Sequence, residues 1–513
     1  MPADRIRQPG LRERVVDAAQ AAAWITPGQT VAMSGFTGSG YPKAVPLALA
    51  ARIEAAHAAG EAFQIRLLTG ASTAPELDGA LAKVDGLALR LPFQSDPDAR
   101  RRINDGSLAY IDAHLSQVAQ NAWFGVYGDI DVAVVEAVAI REDGGIVPST
   151  SVGNSKTWLD LAKRVIVEVN DWQPPELEGM HDIYYGTALP PLRRPIPLEH
   201  PDERIGETAL RVDPEKIVAI VRTHAPDRNS PFKASDATSE RIAALLIEFL
   251  QHEVARGRMP ARLLPLQSGV GNIPNAVLAG LERSGFRDLT AFTEVVQDGM
   301  LDLLRSGVLR SASCTGFALS PEANAAFKRD IAFYRDRILL RTQEISNHPE
   351  LVRRLGCIGM NGMVEVDLYG NVNSTHIMGS RMQNGIGGSG DFARNGFLSI
   401  FMSPSTAKGG RISSLVPMVS HVDHTEHDVS IVVTEQGVAD LRGLSPKQRA
   451  RVLIDRCAHP DYRDALDDYF ARACRTSYGK HTPHLLPEAL SWHQRWLDTG
   501  DMRSGATVTA SAS

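Results

Sequence analysis

The sequence reads Ser34-Gly-Phe-Thr-Gly-Ser-Gly-Tyr-Pro-Lys-Ala-Val45 in its first half and Ser268-Gly-Val-Gly-Asn-Ile-Pro-Asn-Ala-Val277 in its second. Each stretch has a Ser-Gly pair, a glycine-rich turn and then Pro-x-Ala-Val at the start of a helical pattern. A weaker echo follows in the same order, around Leu68-Thr-Gly in the first half and Leu289-Thr-Ala in the second. Two echoes in one order predict a duplicated α/β domain, although short matches in a chain rich in Gly and Ala also arise by coincidence.

Short β-branched runs alternate with alanine-rich amphipathic segments along the chain. The runs lie at residues 64–68, 131–135, 164–169, 216–221, 398–402 and 429–433, and the helical patterns at 11–24, 45–59, 239–256, 274–283 and 446–457. Apolar runs without strict alternation, interleaved with helices, are typical of parallel strands buried on both faces. We therefore expect an α/β fold made of two related, open, mostly parallel domains.

The seam between these domains is predicted in residues 222–236, where Pro, Asn and Ser cluster. This placement gives an N-terminal domain at 1–225 and a C-terminal domain at 226–503, with a ligand site between the halves near the carboxyl ends of the strands. Residues 504–513 are small and polar and are expected to form a disordered tail.

Composition excludes several classes of function. The 513 residues carry a formal net charge of −6, which argues against binding nucleic acid in bulk. Four cysteines without a CxxC pair indicate a reducing compartment rather than a disulfide framework. The longest apolar runs are too short to span a bilayer, and no apolar region follows the Arg-rich N-terminus. We expect a cytoplasmic protein that does not insert in membranes.

Glu294 is the strongest candidate for a catalytic group. It lies between apolar neighbours, after a predicted strand and before a helical pattern around 301–306. A carboxylate in a partly dry pocket is more nucleophilic than a hydrated one, and burial raises the pKa of such a group. The alternative is an ordinary acidic residue that interacts with a helix N-terminus.

The densest glycine cluster is Asn384-Gly-Ile-Gly-Gly-Ser-Gly-Asp391. Glycines let backbone N–H groups approach an oxyanion or a phosphate, but such a run can also be a simple turn. The cluster is neither a Walker loop nor a GxGxxG fingerprint after a strand, so the sequence predicts neither ATP nor NAD binding.

Three further segments carry polar candidates. Lys408 and Arg411 stand beside glycines and could hold a phosphate, or form a solvated basic turn. Glu435 follows a predicted strand, where α/β sites lie, or is a turn residue. Residues 421–428 contain three histidines, but no spacing matches a zinc motif such as HExxH, so we predict a polar turn and no metal site.

With these residues in place, the chain resembles the acetyl-CoA hydrolase/transferase family of class I CoA-transferases. The resemblance runs from about residue 5 to residue 502. The motifs that carry it lie at 34–42, 144–148, 151–155, 266–270, 294–299, 356–362, 370–375, 384–390, 403–410, 434–437 and 480–484. The family fold, two related α/β domains with the active site between them, agrees with the internal repeat.

The resemblance also implies roles for individual residues. Glu294 falls on the nucleophile, the backbone N–H groups of Val270 and Gly388 on the oxyanion donors, and Asn347 on a residue that orients the thioester. The implied CoA contacts are Leu266, Gln267, Ser268, Gly269, Val270, Asn384, Gly388 and Lys408. The implied lining of the carboxylate pocket is Arg228, Glu435, Ser72 and Thr73.

The activity implied is CoA transfer from succinyl-CoA to acetate, with ping-pong kinetics through an acyl-glutamyl anhydride and a glutamyl-CoA thioester. Coenzyme A would be a substrate, no cofactor would be bound permanently, and the partners would be acyl-CoA, small carboxylates and a second copy in a homodimer. Three alternatives stay open: an acyl-CoA hydrolase, a transferase for another short acid such as propionate, and a CoA-binding regulatory module. An ATP-dependent synthetase is disfavoured because no ATP loop is present.

Overall fold

The computed structural model describes residues 4–71, 74–229 and 235–503. Its strands are β1 (Thr30–Met33), β2 (Ile65–Leu68), β3 (Leu87–Leu91), β4 (Ala109–Tyr110), β5 (Val132–Ile140), β6 (Ile146–Pro148), β7 (Arg164–Asn170), β8 (His181–Asp182), β9 (Ile217–Thr223), β10 (Leu266–Ser268), β11 (Leu289–Phe292), β12 (Val295–Gln297), β13 (Leu309–Cys314), β14 (Gly316–Ala318), β15 (Ile338–Arg341), β16 (Ile358–Gly362), β17 (Glu365–Asp367), β18 (Val372–Asn373), β19 (His376–Ile377), β20 (Arg381–Met382), β21 (Leu398–Met402), β22 (Thr406–Ala407), β23 (Ile412–Ser413), β24 (Leu415–Val416), β25 (Ile431–Thr434) and β26 (Gly437–Asp440).

The α-helices are α1 (Ala18–Ala22), α2 (Ala44–Ala58), α3 (Ala80–Lys83), α4 (Pro97–Asn104), α5 (Leu115–Trp123), α6 (Ser155–Leu161), α7 (Ala237–Ala255), α8 (Asn272–Arg283), α9 (Asp298–Arg305), α10 (Pro321–Arg329), α11 (Ile331–Arg335), α12 (Gln343–Ser346), α13 (Pro349–Leu355), α14 (Ser389–Asn395), α15 (Pro446–Cys457), α16 (Pro460–Thr476) and α17 (Ser491–Thr499). Short 3₁₀ turns lie at Pro9–Arg14, Pro175–Leu177 and Pro214–Lys216. Proline opens many of these elements, because its fixed φ suits the first helical position.

The chain divides into two compact units that are not continuous in sequence. Unit 1 consists of Met1–Pro231, Asp288–Leu355 and Asn384–Asp391, and unit 2 of the remaining segments. The first segment of unit 1 ends close to the predicted boundary at 225/226, but two later segments join it. The segment at 288–355 joins because its strand β15 pairs with β8 of the first segment. The segment at 384–391 joins through hydrogen bonds of Asp112 with Ile386 and of Ser116 with Asp391.

Unit 1 contains a large parallel sheet with the strand order β4-β3-β2-β1-β5-β7-β9, and β6 pairs with β5 in the antiparallel sense. Every residue of β5 is buried, as expected for a strand covered on both faces. Val31 and Ile65 on the strands and Leu49 on α2 contribute to one apolar core on this sheet.

Unit 1 also contributes four strands to a second sheet, where they pair in parallel in the order β11-β13-β15-β8. Immediately after β11 the chain bends at Glu294 and continues as β12, which pairs in parallel with β14. The polypeptide therefore leaves one sheet and enters another at residue 294.

In unit 2 the strands β26-β25-β21-β16-β10 form a row of paired neighbours in this order, parallel except for the antiparallel pair β25–β26. Helices α15 and α16 cover it, and Leu453, Ile454 and Phe470 lie in the shared core with Val432. Serine 445 and Gln448 form a capping box at the start of α15, which fixes that helix end.

The predicted fold class, α/β with mostly parallel sheets, is confirmed. The runs at 131–135 and 398–402 are strands β5 and β21, and the helical pattern at 446–457 is α15. The predicted helix at 11–24 is wrong as a single element. It breaks at Val15 and Val16 because Val16 N donates to Ile220 O and the segment joins the edge of β9.

Candidate active site

Glu294 stands at a rigid junction of two strand pairs. Thr293 N donates to Ser313 O at 2.9 Å, which ends the pairing of β11 with β13. The carbonyl oxygen of Glu294 then accepts hydrogen bonds from Thr315 N at 2.8 Å and Gly316 N at 3.3 Å. These bonds fix the backbone on both sides of the bend, so the Glu294 side chain projects from a rigid segment of backbone.

The Glu294 carboxylate accepts one strong hydrogen bond from a buried amide. Asn347 Nδ2 donates to Glu294 Oε1 at 2.8 Å, and Asn347 lies directly after α12 with no exposed surface. Ser346 Oγ donates to Asn347 Oδ1 at 2.8 Å. Because the oxygen of the amide is engaged by this hydroxyl, its NH₂ group faces the carboxylate.

Gly388 packs directly against the same carboxylate. A Cβ atom built on Gly388 would lie 1.8 Å from Glu294 Oε1 and 2.3 Å from Asn347 Nδ2. No side chain can be accommodated at such distances, so glycine at position 388 is required for this approach. Asp112 holds the segment in place, because its carboxylate accepts from Ile386 N at 2.9 and 3.0 Å.

Burial gives this site an unusual electrostatic state. It raises the pKa of Glu294 to about 7, against the lowering effect of the Asn347 hydrogen bond, and the negative charge of Asp391 adds to the rise. Burial likewise raises the pKa of Asp391 to about 6, although hydrogen bonds from Ser116 and the electrostatic effect of the nearby His114 act to lower it. Near neutral pH the two carboxyl groups are therefore poised between their neutral and charged forms.

The Glu294 side chain keeps partial exposure to solvent, whereas Asn347 and Asp391 are buried. A reactant can thus reach a carboxylate that is poorly hydrated and oriented by one amide. Such a group can act as a nucleophile or as a general base.

Among the predicted catalytic residues, the structure brings Glu294, Asn347 and Gly388 together in unit 1. Asn384 lies in the same short segment, with its side-chain amide donating to Gly385 O at 2.9 Å. Ser72 and Thr73 lie outside the described residues.

Arg228, also in unit 1, is held by both its backbone and its side chain. Arg228 N donates to Gly38 O at 2.9 Å, and Arg228 Nε lies 2.8 Å from Glu76 Oε1. The side chain is 59% exposed, so its guanidinium remains open to an anion from solution.

The predicted CoA-contacting loop is in unit 2. Leu266, Gln267 and Ser268 form β10 and are buried, Gly269 N donates to Met360 O, and Val270 is 52% exposed. The Gln267 side chain bonds to β16, with Nε2 donating to Asn361 Oδ1 at 3.2 Å and Oε1 accepting from Met360 N at 2.9 Å. That side chain is structural, so the loop after β10 offers a ligand its backbone and the exposed Val270.

Lys408 and Glu435 are the other predicted site residues of unit 2. Lys408 is exposed in a left-handed conformation, φ 51°, in the hairpin between β22 and β23. Glu435 follows β25, as predicted, and Ser405 N donates to it at 2.8 Å. Burial acts to raise the pKa of Glu435, but hydrogen bonds from Ser405 and Gln436 lower it overall, so this carboxylate is charged at neutral pH.

Sequence patterns alone do not single out several buried polar residues that support the site. Asp391 closes the glycine cluster, and Ser116 binds it from a distant part of the chain. Lys43 Nζ lies 2.6 Å from Glu136 Oε2 and 2.9 Å from Asp227 Oδ1, and all three side chains are buried. This buried group fixes Asp227, the residue that precedes Arg228. No local sequence motif indicates that the three residues come together.

In the part of the chain that the structure describes, no three His, Cys, Asp or Glu side chains come together as metal ligands. No helix in those same ranges has the length and apolar character that a bilayer crossing requires.

Comparison with known proteins gives two family matches. Residues 3–222 match the acetyl-CoA hydrolase/transferase N-terminal domain, and residues 328–470 match the acetyl-CoA hydrolase/transferase C-terminal domain. Glu294 lies between the two matched ranges, and Asn347 and Gly388 lie within the second.

Similar curated proteins span nearly the whole chain. A succinyl-CoA:acetate CoA-transferase of Clostridium kluyveri is 52% identical over 97% of this chain and 92% of its own. A propanoyl-CoA:succinate CoA transferase of Escherichia coli is 45% identical over 94% and 97%. An acetyl-CoA hydrolase of Schizosaccharomyces pombe is 44% identical over 97% and 98%.

A solved structure shares the fold. RipA from Yersinia pestis superposes with a TM-score of 0.69 at 23% identity, covering 90% of this chain and 97% of that one. This likeness supports the α/β architecture described above.

Proposed function

The chain belongs to the acetyl-CoA hydrolase/transferase family of enzymes, and from that premise we propose that it transfers CoA from succinyl-CoA to acetate. The relative with 52% identity supports this pair of acids. The structural observation that carries the proposal is the Glu294 carboxylate, which is partly dry, held by one amide and closely approached by glycine 388.

In the first half-reaction, a Glu294 oxygen attacks the carbonyl carbon of succinyl-CoA and the C–S bond breaks. The electron pair leaves with CoA as a thiolate, and the succinyl group forms a mixed anhydride with Glu294. The backbone N–H groups of Val270 and Gly388 are our proposed donors to the oxyanion, and losing one such donor costs about 3 kcal/mol.

The thiolate then attacks the glutamyl carbon of the anhydride. The bond from that carbon to the bridging oxygen breaks, succinate leaves, and Glu294 carries CoA as a thioester. Acetate enters and the same steps run in reverse to give acetyl-CoA. Because a covalent enzyme form separates the half-reactions, the kinetics should be ping-pong.

Specific residues would hold the two substrates. The loop Leu266–Val270, Asn384 and Lys408 would contact CoA, and Arg228, Glu435, Ser72 and Thr73 would line the carboxylate site. The exposed guanidinium of Arg228 supports this role, since a carboxylate and a guanidinium form charge-assisted bonds. We further propose a cytoplasmic homodimer with no permanently bound cofactor.

Hydrolysis of acetyl-CoA is the second candidate, because acetyl-CoA hydrolases are also similar over almost the full length. Water would then resolve the anhydride or the thioester instead of a carboxylate. Propionate in place of acetate is a variant of the first proposal, which the Escherichia coli relative supports.

The decisive experiment measures acetyl-CoA and free CoA from succinyl-CoA with and without acetate. We expect acetyl-CoA to form with acetate and little CoA to be released without it. Glu294→Ala should abolish transfer while the exposed Glu282→Ala keeps it.

Borohydride added after succinyl-CoA should trap the thioester, so that mass spectrometry finds the modification at residue 294. Substantial transfer by Glu294→Ala would end the proposal, and CoA release independent of acetate would favour the hydrolase.

A further inference from the structure

Two carboxyl groups share one amide at the candidate site. Asn347 Nδ2 lies 2.8 Å from Glu294 Oε1 and 3.3 Å from Asp391 Oδ2. An amide nitrogen carries two hydrogens, so it can serve both acceptors at once. The oxygen of that amide is already bonded to Ser346 Oγ, which keeps both N–H groups on the carboxyl side.

Asp391 is itself fixed by a separate element. Ser116 N donates to Asp391 Oδ2 at 3.0 Å and Ser116 Oγ to Oδ1 at 2.5 Å, both from the first turn of α5. His114 faces it from the same side, and a Cβ atom on Gly390 would lie 2.6 Å from His114 Nδ1. The carboxyl group therefore has a defined position beside the reacting one.

Among the described residues, His114 faces Asp391, and the charge of Asp391 acts on Glu294. When both carboxyl groups are ionised, two negative charges repel each other across the shared amide. When Glu294 is acylated or carries CoA, its charge is gone and the repulsion disappears.

We propose that Asp391 is a positioning residue that acts on Glu294 through Asn347 and favours the covalently loaded state of Glu294 over its free carboxylate. The inference rests on the proposed function, because it assigns Glu294 as the group that is loaded. An interaction that destabilises the reactant form and vanishes on reaction lowers the barrier to that reaction.

The test replaces Asp391 by Asn, which keeps the shape and removes the charge. Removing a neighbouring negative charge lowers the pKa of Glu294, so the acid limb of kcat/KM should move down by about one pH unit. We expect kcat to fall roughly tenfold, since the repulsion that destabilises the free carboxylate of Glu294 is lost.

Asp112→Asn is the matched control. Asp112 holds the same segment through Ile386 N, so its variant reports displacement of the segment without removing the charge beside Glu294. It should leave the acid limb at the wild-type pH. The inference would be overturned if the acid limb of kcat/KM stayed at the wild-type pH in Asp391→Asn, or if it moved equally in Asp112→Asn.

A direct titration of Glu294 separates the proposed function from the proposed role of Asp391. Infrared difference spectra between each protein and its Glu294→Gln counterpart follow the carboxyl band of Glu294 with pH, whatever reaction it catalyses. Retained transfer in Glu294→Gln would refute the proposed function, whereas an unchanged midpoint in Asp391→Asn would refute the role of Asp391.

Discussion

Single residues decide how the site reacts, and Glu294 is the clearest case. It reacts as a carboxylate, and burial raises its pKa to about 7. Below that pH the neutral acid predominates, so kcat/KM should fall about tenfold for each pH unit, and above it the value should level off. Initial rates between pH 5 and 9 at low succinyl-CoA check this, and a profile that is flat down to pH 5 would contradict it.

Gly388 makes a second prediction at this scale. In Gly388→Ala the new methyl group would lie 1.8 Å from Glu294 Oε1, so the carboxylate or the loop must move. A displacement of about 1 Å at a reacting group can cost 100-fold, and we expect at least that loss in kcat with the fold retained.

Gly362→Ala is the control for that variant, because a Cβ atom there meets no atom of the described residues within 4 Å. Transfer rates and circular dichroism of both variants give the comparison. Equal activity of Gly388→Ala and Gly362→Ala would mean that the close approach at residue 388 does not matter.

Part of this site could be read from the sequence and part could not. Glu294 and Gly388 stand in local patterns, an acid after a strand and a glycine cluster. Asp391 is held in place by Ser116, which is 275 positions away, and nothing in the sequence near either residue signals their contact. Asn347 was found through family resemblance and not through its own surroundings.

At the scale of elements, strands buried on both faces were the most predictable. The run at 398–402 is β21 and the run at 131–135 lies within β5, because a β-branched run covered on both faces has few other ways to bury itself. The second, weaker sequence match of the internal repeat does not correspond to equivalent positions in the structure. Leu68 is the last residue of β2, whereas Leu289 is the first residue of β11, so the two matched motifs lie at opposite ends of their strands.

The pairing of β8 with β15 depends on a buried ion pair. Arg341 Nη1 and Asp182 Oδ2 are in direct contact, and neither side chain is exposed. Removing one partner leaves a buried charge uncompensated, so Arg341→Met should lower the free energy of unfolding by about 3–5 kcal/mol. Denaturant titration measures this change.

Two further variants make that prediction specific. Adding Asp182→Asn to Arg341→Met removes the stranded charge and should restore part of the stability. Arg310→Met, an exposed arginine on β13, should change the unfolding free energy by less than about 1 kcal/mol. An equally small change in the unfolding free energy for Arg341→Met and Arg310→Met would mean that the ion pair of Arg341 with Asp182 does not stabilise the fold.

At the scale of the whole molecule, the units do not follow the order of the chain. The first sheet of unit 1 uses strands β1 to β7 and β9, all within the first 223 residues. The second sheet joins β8 to strands from 289–341. A sequence read segment by segment places a boundary near 225, since pairing between distant segments leaves no local trace.

A fragment of residues 1–229 tests this arrangement, and it keeps Asp227 so that Lys43 stays paired. Its first sheet has all its neighbours and should retain slow amide exchange at β5 and β7. Residues 149–153 and 180–183 lose partners that lie outside the fragment. Val152 N loses Thr315 O, Gly153 N loses Thr315 Oγ1, and His181 and Asp182 lose their pairing with β15. Their amides should therefore exchange at least about 100-fold faster than in the whole chain, because unpaired backbone groups open to water.

Hydrogen exchange followed by mass spectrometry compares both regions in one sample, so the first sheet is the internal control. Equal protection of 149–153 and 180–183 in the fragment and the whole chain would show that the first 229 residues fold without the later segments.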